Sequence, residues 1–253
     1  MDLGLRGLKA IITGGSKGIG LAIADTLAAE GCDIAICARN AADLEAAAVK
    51  LRGHGTTVLA RAVDVADAAA LKGWVADVGA ELGGLDIAVA NVSALSIGAD
   101  EESWNKEFQT DMMGTVRLVE AAMPLLEKSG KASIVTISSV SGREIDFAAG
   151  PYGVFKAAII HYTQGLAYQL AGKNIRANSV SPGNTYFAGG VWDQIEKGNP
   201  ELFAASLALN PTGRMATPQE IANGAVFLAS PAASFITGSN LVIDGALTRG
   251  VQF

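Results

Sequence analysis

The sequence predicts an α/β protein, a single domain (1–253) built on one doubly wound parallel sheet of about seven strands with helices on both faces. Three observations carry this. Short apolar runs recur without strict apolar/polar alternation, as in strands buried on both faces. Ala-rich stretches of helical period separate them. The chain has 253 residues, 50% hydrophobic and 17% charged, which suits one large α/β domain and excludes a disordered one.

The elements follow in order. A first strand at 9–13 runs into a glycine-rich turn and a helix at 19–30. A second strand at 33–37, bracketed by Cys32 and Cys37, precedes a helix at 42–52. Strand 57–63, helix 66–82 and strand 86–90 continue the alternation. A long helical period covers 103–127, then strand 132–138, helix 152–171 and strand 176–180. Glycine and proline thicken from 181 to 213, the longest stretch without a clear strand. Loops beyond the carboxyl ends of such strands carry ligands, so 184–215 is expected to be a mobile segment covering the substrate. Thr217-Pro218-Gln219-Glu220 opens the helix at 218–229 with an N-cap, a proline at the first helical position and the acid of a capping box. Strand 240–243 closes the sheet. A strand–helix repeat of this kind is Rossmann-type.

Composition narrows the function. Nineteen basic residues against 25 acidic give a net charge of −6, with no basic tail or stripe, so nucleic acid is a poor partner. Two cysteines and two histidines, none in a C-x-x-C or H-E-x-x-H pattern, do not predict a metal site. Buried thiols fit a reducing cytoplasm. The first fifteen residues do not read as a signal peptide, and no apolar run reaches the ~18 residues of a membrane span.

The turn after the first strand reads Thr13-Gly14-Gly15-Ser16-Lys17-Gly18-Ile19-Gly20. It differs from G-x-G-x-x-G but shares its physics: glycines turn the chain sharply, and a helix N-terminus offers backbone N–H groups to a pyrophosphate. The second strand ends Cys37-Ala38-Arg39-Asn40, without the acid that meets a ribose 2′-hydroxyl in NAD sites. Arg39, with Lys17 nearby, would instead pair with a 2′-phosphate, which predicts NADP(H) over NAD(H). Tyr152-x-x-x-Lys156 puts a phenol and an ammonium on one helical face, where the cation favours the phenolate. Ser139 ends an upstream strand thirteen residues before Tyr152.

These motifs resemble the short-chain dehydrogenase/reductase family, in its compact single-domain form. The matching residues are Thr13-Gly14-x-x-x-Gly18-x-Gly20, Asp64 after the third strand, Asn91 after the fourth, Ser139, Tyr152-x-x-x-Lys156 and Ser181-Pro182-Gly183. They occur in family order over nearly the whole chain, and members like the 3-oxoacyl-carrier-protein reductases are a close pattern. The resemblance implies Tyr152 as general acid or base, Lys156 lowering its pKa and holding the nicotinamide ribose, and Ser139, in preference to Ser138, bonding the substrate oxygen. It implies the turn Gly14 to Gly20, with Thr13, Ser16, Lys17 and Ile19, at the phosphates, Asp64 and Val65 at the adenine, Asn91 on the adenosine side, and Pro182, Gly183 and Thr185 at the nicotinamide. It also implies a homotetramer acting on a small carbonyl or alcohol.

Three positions depart from the pattern. Asp111-Met112-Met113-Gly114 stands where the family has Asn-x-x-Gly, and an ionised aspartate accepts but cannot donate hydrogen bonds. If close, its charge would raise the Tyr152 pKa. Ala90-Asn91-Val92-Ser93 replaces Asn-Asn-Ala-Gly, and Phe187 replaces a threonine four residues after Gly183. The main expectation is an NADP(H)-dependent oxidoreductase transferring hydride between nicotinamide and a carbonyl or secondary alcohol, with a 3-oxoacyl thioester as one substrate reading. A small basic patch of Lys128, Lys131 and Lys173 would serve an acidic carrier protein. Phe187 and Trp192 would give an apolar wall. The alternative is a nucleotide-binding scaffold or redox sensor with little catalysis, motivated by Asp111 and Val92-Ser93.

Overall fold

The computed structural model describes residues 1–251. The elements run β1 (Lys9–Thr13), α1 (Gly18–Ala29), β2 (Asp33–Ala38), α2 (Ala41–Arg52), β3 (Val58–Ala62), α3 (Ala68–Leu82), β4 (Ile87–Ala90), α4 (Glu101–Glu107), α5 (Met113–Leu126), β5 (Ser133–Ile137), α6 (Pro151–Leu170), β6 (Arg176–Pro182), α7 (Val191–Gly198), α8 (Pro200–Ala208), α9 (Pro218–Ala229) and β7 (Asn240–Ile243). The seven strands form one sheet in the order β3-β2-β1-β4-β5-β6-β7. Every pairing is parallel.

Parallel strands need a cover on both faces. Ile12, Ile34, Ile36 and Val135 pack under α1, α2 and α9 through Ile23, Leu27, Leu51 and Ile221. Ile11, Ala35, Ala88 and Ile134 pack under α3, α5 and α6 through Leu71, Trp74, Leu118 and Leu166. Neighbouring strand residues thus serve opposite layers, and β5 and β6 are buried along their whole length. That explains the missing apolar/polar alternation. Both cysteines are fully buried and free, and burial pushes each thiol up to about 12.

Two stretches are more detailed than expected. The period at 103–127 is helical throughout 101–126, as expected, but a π-helical turn at Phe108–Met112 divides it into α4 and α5. Apolar periodicity cannot register the extra residue of such a turn. The stretch 184–215 holds no strand of the sheet, as expected, but α7 and α8, which the sequence did not predict, occupy much of it. Both helices are short, and α8 starts at a proline, so the glycine and proline content masked them. The 217–220 capping box forms as expected: Thr217 and Glu220 bond each other's backbone N–H.

Candidate active site

β1 and β4 sit side by side although β2 and β3 intervene in sequence. The chain reverses direction across the sheet there, and the crevice beyond such strand ends is where ligands bind in this architecture. A cavity of about 1050 Å³ opens at that point. It exceeds the roughly 300–1,000 Å³ of an ordinary small-ligand pocket, leaving room for an extended ligand beside a smaller one.

At one end lies the glycine turn. Gly14 and Gly18 have φ of +67° and +56°, the region glycine favours. A Cβ at Gly20 would lie 2.3 Å from the Gly14 oxygen, so α1 approaches the turn as closely as a bare backbone allows. Lys17 at the N-cap makes no side-chain cap, and no acid stands in the first turn of α1. The N–H groups there are open to an anion. These features fit a dinucleotide pyrophosphate.

Asn91 braces this turn. Its amide donates to the carbonyls of Thr13 (3.1 Å) and Gly14 (3.3 Å), and its backbone N–H donates to Thr13 Oγ1 (3.1 Å). Thr13 Oγ1 donates in turn to the Val89 carbonyl. Arg39 and Lys17 both line the cavity, exposed, and neither makes an ion pair among the described residues. Asp43, in the first turn of α2, lines the same cavity and escaped the sequence reading, because it lies in a helix rather than at the strand end. Asp64 and Val65 line the adjoining wall after β3.

The other end gathers Ser139, Tyr152 and Lys156 with Pro182, Gly183 and Thr185. The two serines after β5 differ in what they bind. Ser138 Oγ donates to the Lys156 carbonyl at 2.8 Å and is committed to the fold. Ser139 Oγ accepts from the Ser141 N–H at 3.1 Å and donates to Ser141 Oγ at 3.3 Å; Ser141 Oγ donates to Asp146 Oδ2 at 2.5 Å. Helix α6 turns the Lys156 ammonium to within 5.5 Å of the Tyr152 ring centre. Burial raises the Tyr152 pKa, the Lys156 charge and the Ser139 hydroxyl oppose it, and the charges of Asp111 and Glu107 add to the rise.

Lys156 is itself buried, donating to the Ile137 carbonyl at 3.1 Å and lying 2.9 Å from Asp111 Oδ2. Burial pulls its pKa down, but Asp111, Tyr152 and Glu107 outweigh that and hold it above the ordinary lysine range. Asp111 sits in the π-turn, fully buried, with Oδ1 accepting from the Ala94 N–H at 2.7 Å. The sequence reading missed Glu107, which is also fully buried one turn earlier and accepts from the Ser96 N–H at 2.8 Å. An acid in a stretch otherwise flanked by exposed charges gave no signal of burial.

The outer wall is mixed. Trp192 packs edge-on against Phe147, ring centres 5.8 Å apart, and both line the cavity. Phe187 also lines the cavity, its ring standing over Gly18 and Gly190. Glu144, Asp146 and Arg249 add charged groups, and the Glu144 carboxylate accepts from the backbone N–H groups of Arg249 and Gly250. Lys173, one of the three proposed patch cations, pairs with Glu127 at 2.6 Å. Among the described residues no cluster of three or more His, Cys, Asp or Glu is placed to hold a metal, and no helix is long and apolar enough to cross a membrane.

Comparison with known proteins covers this whole assembly. A family model described as enoyl-(acyl carrier protein) reductase matches residues 14–248. Isoepoxydon dehydrogenase patN of Penicillium expansum is 39% identical over 258 aligned residues, covering 100% of this chain and 99% of that protein. The 3-oxoacyl-[acyl-carrier-protein] reductase FabG of Escherichia coli is 32% identical over 97% of this chain and 99% of its own. L-Sorbose reductase from Gluconobacter frateurii, solved with NADPH and L-sorbose, superposes with a TM-score of 0.92 at 32% identity, covering 99% of this chain and 100% of that one. An NADPH-bound short-chain oxidoreductase from Pseudomonas aeruginosa with an atypical catalytic centre gives 0.90 at 29% identity, covering 96% and 98%.

Proposed function

The chain belongs to the short-chain dehydrogenase/reductase family, and from that premise we propose that it is an NADP(H)-dependent oxidoreductase interconverting a carbonyl and a secondary alcohol. The observation that carries this reading is the meeting of Ser139, Tyr152 and Lys156 in one cavity with the uncapped N-terminus of α1. Tyr152 is the acid for reduction and the base for oxidation. Lys156 holds the nicotinamide ribose and favours the phenolate. Ser139 orients the substrate oxygen, since Ser138 is bound elsewhere. The nicotinamide, when bound, supplies or accepts the hydride.

The backbone of Gly14, Ser16, Lys17, Gly18, Ile19 and Gly20 holds the pyrophosphate. Asp64 and Val65 flank the adenine, Asn91 stiffens the turn from behind, and Pro182, Gly183 and Thr185 border the nicotinamide. Arg39 and Lys17 outnumber Asp43 at the ribose end, which favours a 2′-phosphate. The NADPH in the Gluconobacter and Pseudomonas relatives supports that choice. The protein is a single domain in which 184–215, through α7 and α8, covers a small-molecule substrate, and it works as a cytoplasmic homo-oligomer, a tetramer as in much of its family.

A screen of NADPH oxidation against ketones, sugars and 3-oxoacyl thioesters, run in both directions, tests this reading. Turnover is expected with at least one class and is lost in Tyr152→Phe. One observation favours a second reading, a weakly catalytic nucleotide-binding scaffold: the Lys156 charge is engaged by Asp111. Tight NADPH binding without turnover across the screen would select it.

A further inference from the structure

Two carboxyl groups share the interior beside Lys156, and both carry an orphan oxygen. Glu107 Oε1 and Asp111 Oδ2 are buried, and neither has a hydrogen-bond partner among the described residues. Asp111 Oδ2 lies 2.9 Å from the Lys156 ammonium as an ion-pair contact, without hydrogen-bond alignment. The two side chains stand four residues apart along one continuous helical path, both fully buried and both anchored to the same loop, at Ser96 and Ala94. Two ionised carboxylates only accept, so as anions they would repel and leave Glu107 Oε1 bare, with Lys156 facing Asp111 alone. One proton on Glu107 supplies the missing donor.

The charge count agrees. The ionisable groups facing Glu107 are Asp111 on the π-turn and, from α6, Lys156, with Tyr152 beyond it. One ammonium against two carboxylates leaves a buried negative charge, which is costly, whereas one against one is balanced. Burial first, then the Asp111 charge, push the Glu107 carboxyl to about 8, with the Ser96 N–H and Lys156 pulling the other way.

A second set of contacts ties this pair to the substrate side. Asp111 accepts from the Ala94 N–H and Glu107 from the Ser96 N–H. Between those two anchor points Leu95 is held at φ +51°, a conformation rare for a branched side chain. Leu95 and Ile97 line the same cavity as Tyr152. The carboxyl pair therefore clamps two alternate residues of the loop that bounds the site.

We propose that Glu107 is a positioning residue that carries the proton shared with Asp111, keeping a single anion opposite Lys156 and clamping the Ala94–Ser96 loop against the site. The inference rests on the oxidoreductase reading for its catalytic consequence, but the shared proton does not depend on it. Below the titration of Glu107, its hydroxyl donates to Asp111 Oδ2. Above it, the proton leaves to solvent, a second negative charge faces Lys156 and Tyr152, and deprotonation of the phenol becomes harder.

The decisive pair is Glu107→Gln and Glu107→Ala. The Gln amide donates to Asp111 and accepts from the Ser96 N–H, as the protonated acid does, yet cannot titrate. The first readout needs no substrate: Tm across pH 5–9 for wild type and Glu107→Gln. A carboxyl raised in the fold contributes stability that is present below its unfolded pKa and lost as pH rises through about 8. The wild-type Tm is expected to fall relative to Glu107→Gln by several degrees over that window and then run parallel to it. Parallel curves throughout would overturn the proposal. The second readout uses NADPH with L-sorbose or cyclohexanone as probe carbonyl. Glu107→Ala should lose kcat and raise KM, and Glu107→Gln should recover kcat by roughly tenfold, the worth of a buried hydrogen bond to a charged group. Equal kcat in the two variants would remove the positioning role. Wild type that binds NADPH but turns over neither probe would count against the oxidoreductase reading alone, since the Tm comparison still decides the proton.

Discussion

Lys156 Nζ sits 2.9 Å from Asp111 Oδ2, with the two side chains 2% and 0% exposed. The ammonium that should favour the Tyr152 phenolate is thus shared with a buried carboxylate. In a low-dielectric interior that division matters more than it would at the surface. Of the three departures from the family pattern, Asp111 is the one in direct contact with Lys156.

Replacing Asp111 with Asn removes a charge that raises the phenol pKa. The rising limb of the pH–rate profile for alcohol oxidation is then expected to move to lower pH, with a several-fold gain near pH 7. Asn still offers an oxygen to the Ala94 N–H, so the loop anchor survives. Superimposable profiles for the two proteins would show that Asp111 does not act on Tyr152.

Ser139 and Ser138 are adjacent but should separate cleanly. Ser139→Ala is expected to lower kcat by about 10²-fold or more, the low end of acid–base and positioning contributions, with little change in Tm. Ser138→Ala loses a buried hydrogen bond to the Lys156 carbonyl and should show a stability cost of about 1 kcal/mol in denaturant titration. A kcat loss confined to Ser138→Ala would reverse the assignment.

Arg39→Ala tests the cofactor. If the guanidinium pairs with a 2′-phosphate, kcat/KM for NADPH should drop roughly 10–150-fold while that for NADH barely moves. Asp43→Ala should act in the opposite sense, improving NADPH use modestly, because it removes a carboxylate from the same end of the cavity. Equal losses with both cofactors in Arg39→Ala would place the 2′-phosphate elsewhere.

Gly20→Ala drives a methyl group into the Gly14 carbonyl and the Asn91 amide, at 2.3 and 2.4 Å. Neither backbone nor brace can yield cheaply, so a cost of about 1–3 kcal/mol is expected from overpacking. NADPH affinity, followed by fluorescence titration, should fall further than stability alone explains, because the displaced turn is the one offered to the pyrophosphate. Unchanged affinity with lowered stability would separate the turn from the cofactor.

Most of the architecture was legible because it is local. Strand-length apolar runs, helical periods and the Thr217–Glu220 capping box are written in neighbouring residues, and the sheet's parallel character follows from their alternation. The Tyr152–Lys156 spacing was readable for the same reason, since four residues on one helix face are neighbours whatever the rest of the chain does. Three elements escaped: the π-turn at Phe108–Met112, whose extra residue leaves no compositional mark, and α7 and α8, hidden by glycine and proline.

The sequence by itself determined the class of fold, the order of the motifs and the residue types available for chemistry. Only the tertiary structure decided which of them meet. It turned Ser138 inward and left Ser139 in the chain to Ser141 and Asp146. It placed Asp43 beside Arg39, and it buried Glu107 and Asp111 against Lys156. These are long-range packing outcomes: a charge reads the same in sequence whether solvated or buried, and burial alone changes what it costs and what it does.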